Sequence, residues 1–270
     1  ILALIFIIAL AVFGFSAYNI GKYALETKRT IDNINKVAEK IVDDNLDVEE
    51  ADDEEADDED SLTPEEKAAR DRAKMMKKYG DIYNENNDFI GWLKVKDTPI
   101  DGPIMFTPDD PQHYLRKNFD GDYDIAGMFF IDFRCKLDPL EHVSTDTIIY
   151  GHRMKNDTMF GPLKEYKDPE YAVSHRDVTF DTMYRPGKYK VFASFLSEAS
   201  DDHPDVFKYY DFIEAETEQE LREYLDNIRE LSIYYDEDEE PVFGDEILTM
   251  STCDYYKTDG RLAVLAKRIK

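Results

Sequence analysis

The sequence predicts a mainly β fold, a barrel or sandwich of about eight strands with helices around it, and three observations predict it. Eight short runs rich in β-branched and aromatic residues recur between Gly, Pro, Asp and Asn. Only a few of the segments between them are long enough for a helical crossover, which disfavours a doubly wound parallel sheet. The 270 residues are 42% hydrophobic and 13% aromatic, enough for a packed core and too apolar for a disordered chain.

In chain order, ILALIFIIALAVFGFSAYNIG (1–21) runs 21 residues without a charge. As a helix rising about 1.5 Å per residue it reaches roughly 30 Å, one hydrocarbon thickness, and reads as a transmembrane anchor. A signal peptide cut after Ser16 or Ala17 is the alternative, with an overlong apolar run and a poor small-residue cleavage pattern. Ile31, Ile34, Val37 and Ile41 then keep a helical spacing, expected to form a solvated stalk helix. Residues 43–60 carry thirteen acids and no base, a self-repelling linker holding nearly half of the net charge of −27. Stalk and linker together occupy 22–61.

The folded domain is expected over 62–270. It opens with a helix at 62–80, capped by Ser61, with Pro64 and two glutamates in its first turn and Gly80 as its stop. The barrel or sandwich follows over 88–270, built from FIGWLKV, PIDGPIMF, AGMFFIDFR, DTIIYGH, DVTFD, GKYKVFASFL, DEILTMSTC and GRLAVLAKRI. Helical patterns interrupt it at TMFGPLKEY, at DPEYAV and most clearly at 214–231, where Leu221, Leu225 and Ile228 share a face.

The acidic balance and lack of a basic stripe exclude nucleic acid as a partner. No glycine-rich phosphate loop is present, so no organic cofactor is expected. FDGDYD (119–124) starts like a calcium loop, but Ile125 stands where the turn glycine belongs and Ile131 where the last glutamate belongs, so no metal is expected.

Chemistry concentrates in ILTMSTCDYYKTDGR (247–261). A hairpin turning at YYKTDG places Cys253 and Arg261 on adjacent strands about 4.8 Å apart, where a cation favours the thiolate. From that spacing alone, a buried free cysteine beside a surface arginine fits equally well. His152, following the apolar run DTIIYG, favours the reactive reading, because strand ends present catalytic side chains and a distant histidine can serve a cysteine as acid and base. His113, His142, His175 and His203 lie in polar surroundings and read as surface residues.

TMSTC (249–253), Arg261 opening the next run and YGHRM (150–154), in this arrangement, resemble the class B sortases. The likeness covers roughly residues 75–270; Met250 replaces the usual Leu, and Arg153 follows the histidine where other polar residues are common. The resemblance implies a closed eight-stranded sortase-type β-barrel with N-terminal helices and a long helix between strands six and seven. It implies a membrane-anchored cysteine transpeptidase of the Gram-positive cell surface, single-pass with its catalytic domain outside. Cys253 would cleave at the threonine of a C-terminal sorting motif of the NPxTN or LPxTG kind, His152 would move protons, and Arg261 would hold substrate and stabilise the oxyanion. Ser251 and Thr252 would contact substrate. The partners implied are surface proteins bearing a sorting signal, and an amine of a peptidoglycan cross-bridge, a stem peptide or a pilin lysine. The chain shows no apolar tail up to Lys270, which on this reading makes it enzyme rather than substrate. Two other readings stay open: a cysteine protease, which would not require Arg261, and a membrane-tethered adhesion module in which Cys135 and Cys253 form a disulfide.

Overall fold

The computed structural model describes residues 2–42, 62–199 and 206–269. The acidic run at 43–60, Ser61 and His203 lie outside them. Two helices come first, α1 (Leu2–Ala38) and α2 (Pro64–Glu85). β1 (Phe89–Val95), β2 (Asp101–Met105), β3 (Phe129–Ile131), a small hairpin of β4 (Leu137–Asp138) and β5 (His142–Val143), and β6 (Asp146–Tyr150) follow. Then come α3 (Pro169–Ser174), β7 (Asp177–Thr182), β8 (Lys188–Glu198), α4 (Glu218–Leu231), β9 (Ser232–Tyr235), β10 (Ile247–Cys253) and β11 (Gly260–Arg268).

The main sheet runs β11-β10-β6-β3-β2-β1-β7-β8, and β11 pairs again with β8, so its eight strands close into a barrel. Closure leaves the eight ring strands without a free edge, and β9 adds along β8 as an extra edge strand. Two of the pairings, β2 with β3 and β6 with β10, are parallel. All eight runs read from the sequence are barrel strands, and α4 lies between the sixth and seventh of them, β8 and β10. Leu93, Ile104, Ile148, Met250 and Val264 fill the barrel interior. A second core joins α4 through Leu221, Leu225 and Ile228 to Phe192, Ile247 and Leu265 on the barrel wall.

Three helix ends are corrected. The cap of α2 is Thr63, not Ser61: its hydroxyl accepts from the Glu66 N–H while the Glu66 carboxylate takes the Thr63 N–H, a reciprocal capping box. The helix passes through Gly80 and ends at Glu85, because Tyr79 and Ile82 are buried against Phe89 and Trp92 and that packing outweighs the cost of one helical glycine, about 1 kcal/mol. The long late helix starts at Glu218 behind a second capping box, Thr217 with Glu220, not at residue 214.

The stalk expectation changes most. α1 continues unbroken past its apolar half and lays its last turns on the barrel, with Thr30 and Val37 buried and Ile34 and Ile41 partly covered, while Ile31 faces outward. Val42 N–H donates to Lys78 O at 3.1 Å, tying the chain end beyond α1 to α2. The acidic segment thus connects two helices that both pack on the barrel.

Candidate active site

Strand register assembles the site. The parallel pairing of β10 with β6 sets Ser251 opposite Tyr150, and Gly151 N–H donates to Ser251 O at 3.2 Å. Gly151–His152 therefore leave β6 beside Thr252–Cys253 leaving β10. On the other side, antiparallel pairing sets Cys253 opposite Arg261 of β11. Three barrel strands thus deliver His152, Cys253 and Arg261 to one end of the barrel, where all three line a cleft of about 390 Å³.

Each side chain has a distinct setting. Cys253 is the exposed last residue of a strand that is otherwise buried, and its sulfur is unpaired. Cys135 is buried and also unpaired, and loss of solvation pushes its thiol up to about 12. Environment therefore separates the two cysteines, and they do not form the disulfide of the adhesion reading.

His152 is partly buried and its Nε2 lies 2.8 Å from Leu115 O. A carbonyl only accepts, so Nε2 carries the proton and the neutral ring presents Nδ1 as its acceptor. Burial lowers the His152 pKa below the usual imidazole value; the Leu115 carbonyl opposes that shift and the nearby Arg116 adds to it. Gly151 is required at the strand exit, because a Cβ there would stand 2.7 Å from carbons of both Phe129 and Phe160. Gly127 serves the opposite wall: its φ is +58°, and a Cβ would stand 2.5 Å from Leu115 O, the acceptor of the His152 Nε2–H hydrogen bond.

Arg261 donates through Nη1 to the carbonyls of Asp259 and Gly260, at 3.2 and 3.0 Å. Ser251 and Thr252 also border the cleft, with side chains engaged inside the protein. The Ser251 hydroxyl is 2.6 Å from that of Tyr209, and Thr252 donates to Gly151 O at 2.7 Å. They are 1% and 3% exposed, so neither hydroxyl is presented for a ligand in this state.

The sequence reading missed several participants. Leu115 is one, since a backbone acceptor thirty-odd residues upstream leaves no side-chain signature. Asp132 is another: it is buried at the cleft, receives paired bonds from Arg134 at 2.8 Å each, and accepts from Tyr150 at 3.0 Å. Burial works against that carboxylate, but Arg134 outweighs it and holds the pKa below the usual value. Asp254, directly after the cysteine, is buried between Arg153 at 2.8 Å and Lys167 at 3.0 Å. This bridge accounts for the departure at Arg153, since it ties the residue after His152 to the residue after Cys253.

Comparison with known proteins agrees with this architecture. The family model for the sortase domain matches residues 138–269. Sortase B of Listeria monocytogenes is 30% identical over 266 residues, spanning 97% of this chain and 94% of that protein. Sortase B of Staphylococcus aureus is 30% identical over 187 residues, 68% of this chain and 72% of that protein. Among solved structures, sortase B from B. anthracis in complex with AAEK1 superposes with a TM-score of 0.62 at 32% identity, covering 72% of this chain and 85% of that one. The Staphylococcus aureus sortase B–substrate complex gives 0.62 at 27% identity, covering 74% and 86%.

Proposed function

The chain belongs to the sortase B family, which makes it a sortase transpeptidase, and we propose that it cleaves C-terminal sorting motifs of the NPxTN or LPxTG kind at threonine and joins the threonyl group to an amine. The observation that carries this reading is the convergence of Cys253, His152 and Arg261 on one cleft through the β6–β10–β11 register.

The Cys253 thiol gives its proton to Nδ1 of His152 as its sulfur attacks the threonine carbonyl carbon, forming an S–C bond and a tetrahedral oxyanion. Arg261 lies across the strand pair from the nucleophile and stabilises that charge, a fixed cation being worth more in a cleft than in water. The C–N bond then breaks, and protonated Nδ1 of His152 gives its proton to the leaving amine, leaving a thioester on Cys253. An incoming amine loses a proton to Nδ1 and attacks the thioester, and the Cys253 thiolate leaves as the new amide forms. Water in place of the amine gives hydrolysis. Ser251 and Thr252 hold the strand ends in register through their buried hydroxyls, the former against Tyr209 and the latter against Gly151.

The amine is assigned to a peptidoglycan cross-bridge, a stem peptide or a pilin lysine. The first 21 residues form the anchor: α1 is the one described helix long and apolar enough to cross a membrane, its apolar stretch is unburied, and Phe6, Ile7, Phe13 and Phe15 are exposed. On this reading the enzyme is single-pass and acts outside the cell, with 22–61 as the connecting region and 62–270 as the catalytic domain.

The test is mass spectrometry of products from the full chain in detergent, given an NPxTN and LPxTG peptide library with an excess of amine, beside Cys253→Ala. Threonyl amide from the unaltered chain alone supports the proposal. Free acid alone, even at high amine concentration, would make it a protease.

A further inference from the structure

We propose that the second half of α1 is a brace for the active site, in which Thr27 and Thr30 clamp the two loops that set the position of His152. The inference rests on the assignment of His152 above.

One loop carries the histidine itself. Between His152 and Phe160 the chain doubles back: Phe160 N–H returns to His152 O at 3.0 Å, and Asp157 and Met159 take positive φ. Asn156 organises the tip, accepting from the Thr158 hydroxyl at 2.8 Å and donating through Nδ2 to Thr27 Oγ1 of α1 at 2.6 Å.

The other loop supplies the acceptor. Leu115, whose carbonyl fixes the protonated nitrogen of His152, belongs to the 3-10 turn His113–Arg116. Asp124 folds the following segment back on that turn: its N–H donates to Arg116 O at 3.0 Å, and its Oδ1 accepts from Ala126 N–H at 2.9 Å. That carboxylate is buried, and Thr30 Oγ1 of α1 sits 3.2 and 3.3 Å from its two oxygens.

Thr27 and Thr30 are one helical turn apart on the same face, so one rigid element touches both loops at once. The side of α1 that carries them continues through Ile34 and Val37, which pack on the barrel cores, so the clamp is seated by apolar burial. Sites of this kind need support that locks the orientation of the working group. Asp132, Tyr150, Cys253 and Arg261 share the cleft with His152, and Arg116 adjoins Leu115. None of these groups is on α1, so α1 acts on the cleft by position and not by a charge placed in it.

The experiment compares the full chain in detergent with Thr27→Val/Thr30→Val, with Thr27→Ser/Thr30→Ser, which keeps both hydroxyls, and with Lys28→Ala on the exposed side of the helix. The readouts are the titration of His152 by NMR and kcat and KM for transpeptidation. The double valine variant is expected to lose about ten-fold in kcat with KM within two-fold, and to move the His152 pKa up toward the ordinary imidazole value as the ring gains solvent. The serine variant and Lys28→Ala are expected to match the unaltered chain. A valine variant with lower thermal stability but unchanged kcat and unchanged His152 titration would overturn the brace. So would a serine variant as impaired as the valine one. The NMR titration needs no turnover, so an unaltered chain that fails to form amide would remove the functional reading while the brace was still decided by the titration.

Discussion

Thr252 separates a substrate contact from a structural one, and Thr252→Val is the perturbation that tells them apart. The residue is buried, and its hydroxyl donates to Gly151 O at 2.7 Å, across from β10 to the exit of β6. Valine keeps the shape and removes the donor, leaving a carbonyl beside His152 without that partner. A buried acceptor stripped of its donor costs about 1–3 kcal/mol. At about 2–4 °C per kcal/mol for a domain of this size, Tm is expected to fall by about 2–12 °C. Because Gly151 directly precedes His152, the histidine shifts against Cys253, and kcat falls while KM stays within two-fold. Differential scanning fluorimetry and steady-state kinetics on the full chain measure both, and Thr252→Ser should restore them. A variant with unchanged Tm and kcat but a KM raised several-fold would refute the structural reading and make Thr252 a substrate contact.

Other expectations follow from the same geometry. Asp254→Ala strands Arg153 and Lys167 beside a buried gap and should destabilise by about 3 kcal/mol, read by chemical denaturation, with loss of transpeptidation. Iodoacetamide on the native protein should label Cys253 alone, since Cys135 is buried with its thiol pushed up to about 12; denaturant should expose both, as peptide mapping would show. Asp146 is fully buried, with Oδ2 held by Thr249 and Tyr224 and Oδ1 unpaired, and desolvation raises its pKa to about 7. Its folded pKa lies above the unfolded value of about 3.9, so the folded state binds the proton more tightly and stability falls as pH rises from about 4 to 7. Asp146→Asn should remove that slope, at most about 1.4 kcal/mol per pH unit, in denaturation curves taken across the range.

The barrel was legible because each strand is a short apolar run with its own punctuation, a local property of the sequence. Cys253 and Arg261 were legible for the same reason, as a hairpin fixes their register over a few residues. His152 was legible as a strand end, but its partner was not, because Leu115 acts through its backbone. The small β4–β5 hairpin and the edge strand β9 were missed, being two residues a side and four residues long, too short for alternation to register. Docking of α1 was missed despite a correct helical period. The buried face carries Thr30 beside Val37, and a threonine whose partner is Asp124, ninety-four positions away, reads locally as solvent-facing.

Charge in the cleft cannot be inferred from the net value of −27. Acids near the site are paired with particular cations: Asp132 with Arg134, and Asp254 with both Arg153 and Lys167. Among the described residues, Arg261 and Arg116 form no such bridge, and their side chains bond backbone carbonyls instead. One of these two cations stands across the strands from Cys253, and the other lowers the pKa of His152. The first faces the proposed nucleophile across the strand pair, and the second favours the neutral form of the proposed base. Asp132 and Asp254 are thus each committed to a neighbouring cation, which leaves Arg261 without a carboxylate partner at the place where, on the proposed mechanism, an oxyanion forms.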